Sequence, residues 1–190
     1  MKKMLKRMIF IFYALNINSD FMGAVYLYTG SGFGKTTSAL GLALRAVGQG
    51  KKVVIIQFMK GWKNTGEYKI MKKLKPNYRI YQFGRKGFVN MRNPSEGDKK
   101  RAQKGLEFAK QEIKKKPFIL ILDEINLAVR IGLINKKDVL QLLKNLPKQT
   151  SVVLTGRYAP KEFIKRAEYV HILKLYKNPK YVPATRGIQY

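Results

Sequence analysis

The run Thr29-Gly30-Ser31-Gly32-Phe33-Gly34-Lys35-Thr36-Thr37 carries the residue types and spacing best suited to chemistry in this chain. It follows an apolar stretch, Ala24 to Tyr28, and leads into a helix-like stretch, Ser38 to Val47. Strand, glycine-rich loop, Lys-Thr and helix in that order form a cradle for a nucleotide triphosphate. Glycines let successive backbone N–H groups turn toward one anion without Cβ clashes. The helix that follows points its positive end at the same spot. Lys35 is placed to reach the outer phosphates, and the Thr36 hydroxyl to sit on Mg²⁺. The usual spacing is G-x-x-x-x-G-K-[ST]. Here Thr29 takes the first glycine position and Gly30 lies one step later. The bland alternative is a turn that binds nothing, but Gly-Lys-Thr-Thr after an apolar strand demands more than a turn requires. The motif specifies a phosphate site and leaves the reaction open.

A second strand end carries acid. Phe118 to Leu122 is a continuous apolar run, and Asp123-Glu124 follows it. Ligands bind at the carboxyl edge of open α/β sheets, so a carboxylate there can hold Mg²⁺ opposite Thr36. Asp123 also suits a helix N-cap. The two side chains leave a strand end in different directions, so only one is expected to touch the metal directly. At the same edge, Thr155-Gly156-Arg157 closes a further strand, and the Arg157 guanidinium can grip phosphate oxygens in two places. A surface salt bridge is its alternative.

These groups must be positioned by a scaffold, and the chain supplies one. Apolar strand-like runs alternate with helical patterns, which predicts an α/β fold with a mostly parallel central sheet of about six strands flanked by helices. The remaining strands are expected at Lys52 to Phe58, Tyr78 to Phe83, Ser151 to Thr155 and Tyr169 to Leu173. Helices are expected at Glu67 to Leu74, from Asn93-Pro94-Ser95-Glu96 with Ala102, Leu106, Ala109 and Ile113 as apolar stripe, at Asn126 to Ile131, at Lys136 to Leu146 and around Pro160 to Arg166. Residues 84–93 read as a loop, and the tail from Tyr176 to Tyr190 as irregular.

Composition narrows the class. At 190 residues the chain suits one domain. It contains no cysteine, so it has no disulfide framework, thiolate metal site or thiol nucleophile. Its single histidine, His171, cannot build a histidine metal cluster and is expected to be a packed or rim residue. The net charge of +28 comes from 39 Lys+Arg against 11 Asp+Glu. Such a charge can signal nucleic acid or an anionic membrane. The lysines are scattered, however, with no arginine-rich tract or aromatic motif among them. No nucleic-acid or membrane partner is therefore expected, and a positive field also attracts polyphosphate; a generic P-loop ATPase acting with nucleic acid is the alternative function that the charge leaves open. Residues 1–22 differ from the rest: Lys2, Lys3, Lys6 and Arg7 precede the apolar run Met8 to Leu15. This imitates a secretory signal, but the apolar run falls short of the ~20 residues that span a bilayer. An N-terminal arm and a mis-assigned start both stay open, with residues 23–190 as the single domain.

Taken in order, the motifs resemble the ATP:corrinoid adenosyltransferases of the P-loop type. The likeness rests on the glycine loop with its shifted glycine and on Gln57-Phe58-Met59-Lys60-Gly61 with Gly66-Glu67. It continues through Asp123-Glu124-Ile125-Asn126, Val153-Leu154-Thr155-Gly156-Arg157 with Ala159-Pro160, and Ala184 to Tyr190. The resemblance implies a P-loop NTPase (RecA-like) fold. It further implies that Co(I) of a reduced corrinoid attacks the 5′ carbon of ATP and that the whole triphosphate leaves. Lys35, Thr36 and Glu124 would act in catalysis. Gly30, Ser31, Gly32, Phe33, Gly34, Lys35, Thr36, Thr37 and Arg157 would hold the nucleotide. Thr36, Asp123 and Glu124 would hold Mg²⁺ or Mn²⁺. The corrinoid would lie near Gly87-Phe88-Val89-Asn90, with Phe88 helping to displace the lower axial ligand. The chain departs from the family at Asn90, where many relatives have Trp, at Phe33 in place of Lys, and at Gln189 in place of Glu. The resemblance also implies a cytoplasmic homodimer, with the N-terminal segment over the partner's corrinoid site, and a flavoprotein reductant.

Overall fold

A computed structural model describes residues 22–177 and 184–188. The leader before Met22 and the Gln189 position lie outside the described residues. Six strands form one sheet: β1 (Val25–Thr29), β2 (Val53–Lys60), β3 (Tyr78–Arg85), β4 (Ile119–Asp123), β5 (Ser151–Thr155) and β6 (Tyr169–Ile172). Their order is β3-β2-β4-β5-β1-β6, and every neighbouring pair is parallel. Parallel neighbours require crossover connections, so all six carboxyl ends come out at one edge of the sheet. β5 separates the glycine-loop strand β1 from the acid-bearing strand β4.

The helices are α1 (Lys35–Gly48), α2 (Gly66–Leu74), α3 (Glu96–Lys114), α4 (Ile125–Arg130), α5 (Lys136–Lys144) and α6 (Lys161–Arg166). Alternation along the strands sends side chains to two separate cores. On one face, Ala39, Ala43 and Ala46 of α1 pack with Ile55, Ile121 and Val153. Alanines on the buried stripe let α1 lie close to the sheet. On the other face, Ala102, Leu106, Ala109 and Ile113 of α3 pack with Ile56, Phe58, Leu120 and Leu122. The expected stripe of α3 is thus the buried one. Side chains sealed on both faces explain why the central strands read as unbroken apolar runs.

Element bounds differ from expectation by a few residues. α1 begins at Lys35 rather than Ser38: the Ser38 N–H already donates to the Gly34 carbonyl at 2.7 Å. Lys35 and Thr36 are therefore residues of the first helical turn. Pro94 stands just before α3, whose cap is Ser95. The Ser95 hydroxyl accepts from the Asp98 N–H, and the Asp98 carboxylate reaches back to the Ser95 N–H. β2 and β3 run two residues further than expected, to Lys60 and Arg85. β6 lies at the sheet margin with all four residues exposed. His171 is exposed there and stacks on Tyr28 at 4.8 Å.

The displaced glycine of the loop has a packing cause. The Leu173 N–H donates to the Thr29 carbonyl, and the Gly32 N–H donates to the Leu173 carbonyl, both at 2.8 Å. The chain just after β6 therefore lies directly against the loop. A Cβ at Gly30 would stand 2.3 Å from the Leu173 carbonyl oxygen, and Gly30 has φ +106°. Thr29 is still a buried strand residue, so the glycine is needed one step later. Gly30→Ala is expected to lower stability by more than about 1 kcal/mol, read as a lower urea midpoint. An unchanged midpoint would show that Leu173 does not brace the loop.

Candidate active site

Strand register builds the site. Gln57 of β2 pairs with Gln82 of β3 on one side and with Asp123 of β4 on the other. Thr155 of β5 follows Leu154, the partner of Leu122, and pairs with Tyr28 of β1. Paired residues in neighbouring strands point to the same face, so a polar row crosses the carboxyl edge of the sheet on the α1 side. Asp123 sits at its centre and is fully buried.

The Asp123 carboxylate accepts hydrogen bonds from four side chains. Thr36 Oγ1 donates to Oδ1 at 2.8 Å and Thr155 Oγ1 to the same atom at 2.7 Å. Gln57 Nε2 donates to Oδ2 at 3.1 Å, and Lys60 Nζ at 2.7 Å. Burial alone would push this carboxyl up. The Lys60 charge and the hydrogen bonds from Lys60, Thr155 and Thr36 outweigh burial and hold it below the usual carboxylate range. Burial would lower the Lys60 ammonium, but the charges of Asp123, Glu124 and Glu67 and the Asp123 hydrogen bond raise it overall. The pair is therefore ionised on both sides.

Glu124 adopts a left-handed backbone (φ 65°) at the start of α4. Its N–H donates to Thr155 Oγ1 at 2.9 Å. Burial and the Asp123 charge push its carboxyl above the ordinary value, against the pull of Lys60, Lys35 and Arg157. Gly156 (φ +126°) allows this crowding, since a Cβ there would stand 3.2 Å from Glu124 Oε2. The Asn126 amide donates to the Gly156 carbonyl at 3.1 Å and the Tyr28 carbonyl at 3.4 Å, tying α4 to β1 and β5.

In the glycine loop, Lys35 is buried, and its ammonium donates to the Gly30 and Gly32 carbonyls. It braces the loop from within. Burial and the nearby Arg157 lower its pKa, with Glu124 acting the other way. Ser31, Phe33, Thr37 and Arg157 are exposed, while Gly30, Gly34 and Thr36 are partly covered. The site thus brings together Lys35, Thr36, Asp123, Glu124 and Arg157. Thr36 and the carboxylates offer hard oxygen ligands that could hold a divalent cation. Among the described residues no three His, Cys, Asp or Glu side chains cluster as a metal site.

The loop opens on a cleft of about 780 Å³. Lys35, Lys60 and Arg157 line it, together with the apolar side chains of Trp62, Phe88 and Met91. Phe88 is 96% exposed, so its ring is free for a ligand. Its loop is nonetheless anchored: Arg85 donates to the Phe88 carbonyl at 2.6 Å while its Nε lies 3.3 Å from the buried Asp98 carboxylate. Asn90 has a local job there. Its side-chain oxygen accepts from the N–H groups of Arg92 (3.1 Å) and Asn93 (3.2 Å), shaping the turn into α3.

Sequence reasoning assigned no function to Lys60, Gln57 or Thr155. The available signal was polar residues at the carboxyl ends of apolar strands, beside a strand that ends in acid.

The family model for ATP:corrinoid adenosyltransferase BtuR/CobO/CobP matches residues 22–190. A corrinoid adenosyltransferase of Sinorhizobium sp is 33% identical over 90% of this chain and 82% of its own length. One from Escherichia coli K12 is 33% identical over 90% of this chain and 87% of its own. Corrinoid adenosyltransferase CobA of Salmonella typhimurium LT2 is 31% identical over 88% and 86%.

Thr155→Val keeps the side-chain shape but removes a donor to Asp123 and leaves the Glu124 N–H unpaired. The expected loss is about 1–3 kcal/mol of stability, measured by urea denaturation, with Thr155→Ser close to the parent. A Val variant as stable as the parent would exclude a structural role for this hydroxyl.

Proposed function

The chain belongs to the ATP:corrinoid adenosyltransferase family, and we propose that its cleft transfers the 5′-deoxyadenosyl group of ATP to the cobalt of a reduced corrinoid. In this reaction the Co(I) electron pair forms a bond to C5′ of ATP. The C5′–O bond breaks, and its electron pair leaves with the intact triphosphate. The observation that carries the reading is the Thr36–Asp123 contact beside the glycine loop, where Thr36 lines a cleft shared with Lys35, Lys60, Arg157 and the apolar Trp62, Phe88 and Met91.

The metal is the corrinoid's own nucleophile, so the protein supplies position and electrostatics. Backbone N–H groups of the loop and the Lys35 ammonium would spread the charge gathering on the leaving triphosphate. Arg157 would add two donors from the rim. Thr36, with Asp123 or Glu124, would hold Mg²⁺ (or Mn²⁺), which supplies further neutralisation of the phosphates. Glu124 supports that reading: a carboxylate facing a bare triphosphate repels it, and a dication between them reverses the sign. Phe88 would press on the corrinoid face and help displace its lower ligand. A homodimer, a flavoprotein reductant and a cytoplasmic setting complete the reading, drawn from the family resemblance. Among the described residues no helix is long and apolar enough to cross a membrane. The relatives lend no support to an ATPase acting with nucleic acid.

The test is anaerobic incubation with ATP, Mg²⁺ and chemically reduced cobalamin. The expected products are tripolyphosphate and the absorbance of a Co–C bond; orthophosphate formed without corrinoid would overturn the reading. Lys35→Ala is expected to cut turnover by roughly 100-fold or more, the scale of one lost electrostatic stabiliser. Near-parental turnover in that variant would remove Lys35 from the mechanism.

A further inference from the structure

Of the four donors on Asp123, Lys60 is the unusual one. A lysine at the end of a strand ordinarily extends its ammonium into water. Here Lys60 turns inward, and Met59 just before it takes a left-handed backbone, φ 59°, rare for a non-glycine residue. Such a conformation persists where surrounding structure enforces it. Lys60 Nζ donates to Asp123 Oδ2 at 2.7 Å and to Thr36 Oγ1 at 3.3 Å. These side chains are the ones offered above to a divalent cation. One locus cannot hold both an ammonium and a dication.

We propose that Lys60 is a built-in stand-in for the divalent cation, keeping Thr36 and Asp123 aligned in the nucleotide-free protein and giving up its place when metal and triphosphate enter together. This rests on the metal reading of Thr36 and Asp123. The side chain of Lys60 is 32% exposed and lines the cleft, so a short swing takes its ammonium toward the incoming phosphates. The proton stays on the amine throughout, and Asp123 exchanges one cationic partner for another. Without nucleotide, an ammonium expelled by an arriving metal has only the nearby protein carboxylates of Glu124 and Glu67 to turn to. With nucleotide, it gains the triphosphate as a partner. Lys60 thereby couples metal binding to triphosphate binding.

The test uses Mn²⁺ as probe, followed by electron paramagnetic resonance on the full chain. Without nucleotide, Lys60→Met is expected to bind Mn²⁺ roughly tenfold or more tightly than the parent, since one repelling charge is gone. Metal-free Lys60→Met should unfold at lower urea than the parent, and Mn²⁺ should restore part of the difference. If the Met variant does not fold, Lys60→Gln keeps a donor to Asp123 without the charge and is expected to show the same gain in Mn²⁺ affinity. Equal or weaker Mn²⁺ affinity in the variant, with normal Mn²⁺ binding in the presence of ATP, overturns the stand-in role alone. Failure of the parent to bind Mn²⁺ with ATP present overturns the metal reading and this proposal with it.

Discussion

The buried carboxylate of Asp123 is the constraint on which the site is built. An isolated charge in the interior costs several kcal/mol even after relaxation. Here the cost is offset by one ammonium, two hydroxyls and one amide, all within 3.1 Å. The four donors come from three different elements: Thr36 from α1, Gln57 and Lys60 from β2, and Thr155 from β5. Satisfying Asp123 therefore fixes the start of α1 against the carboxyl edge of the sheet. That edge is where the glycine loop must stand to face the cleft. Removing any one donor would leave a charge short of partners, which is why the arrangement specifies a geometry rather than merely adding stability.

The same economy runs through the charge distribution. Only 11 acidic residues face 39 basic ones, yet Asp98, Glu112 and Asp123 are all buried. Asp98 holds Arg101 and Arg85, and through Arg85 it steadies the Phe88 loop. Glu112 pairs with Lys115. With 39 basic residues against 11 acidic ones, the long-range field favours an approaching polyphosphate.

Much of the architecture could be read from the chain itself. Apolar runs such as Val53 to Phe58 mark doubly covered strands, and the α3 stripe marks its buried face, because local periodicity reports burial directly. Asp123 and Glu124 were visible as acids after an apolar run. The part played by Lys60 was not. It depends on β2 lying beside β4, on the pairing of Gln57 with Asp123, and on the left-handed turn at Met59. Residues more than sixty positions apart meet through sheet order, which no local pattern encodes. Gly30 is a similar case, since its need for glycine comes from Leu173, far along the chain. Asn90 is a milder one: its side-chain oxygen accepts two backbone hydrogen bonds inside its own turn.

The electrostatics of the cleft end argue for what it is made to receive. Lys35 is shifted toward its neutral form by burial and Arg157, and Glu124 toward its neutral form by burial and Asp123. A finished structural ion pair behaves in the opposite way, each partner holding the other in its charged form. Both departures are relieved by the same addition. A polyphosphate beside Lys35 and Arg157 favours their charged forms, and a dication beside Glu124 favours its carboxylate. In the proposed reaction an anion and a metal arriving as a pair would favour the charged forms of both groups, and such a pair is the form in which a nucleoside triphosphate is ordinarily bound.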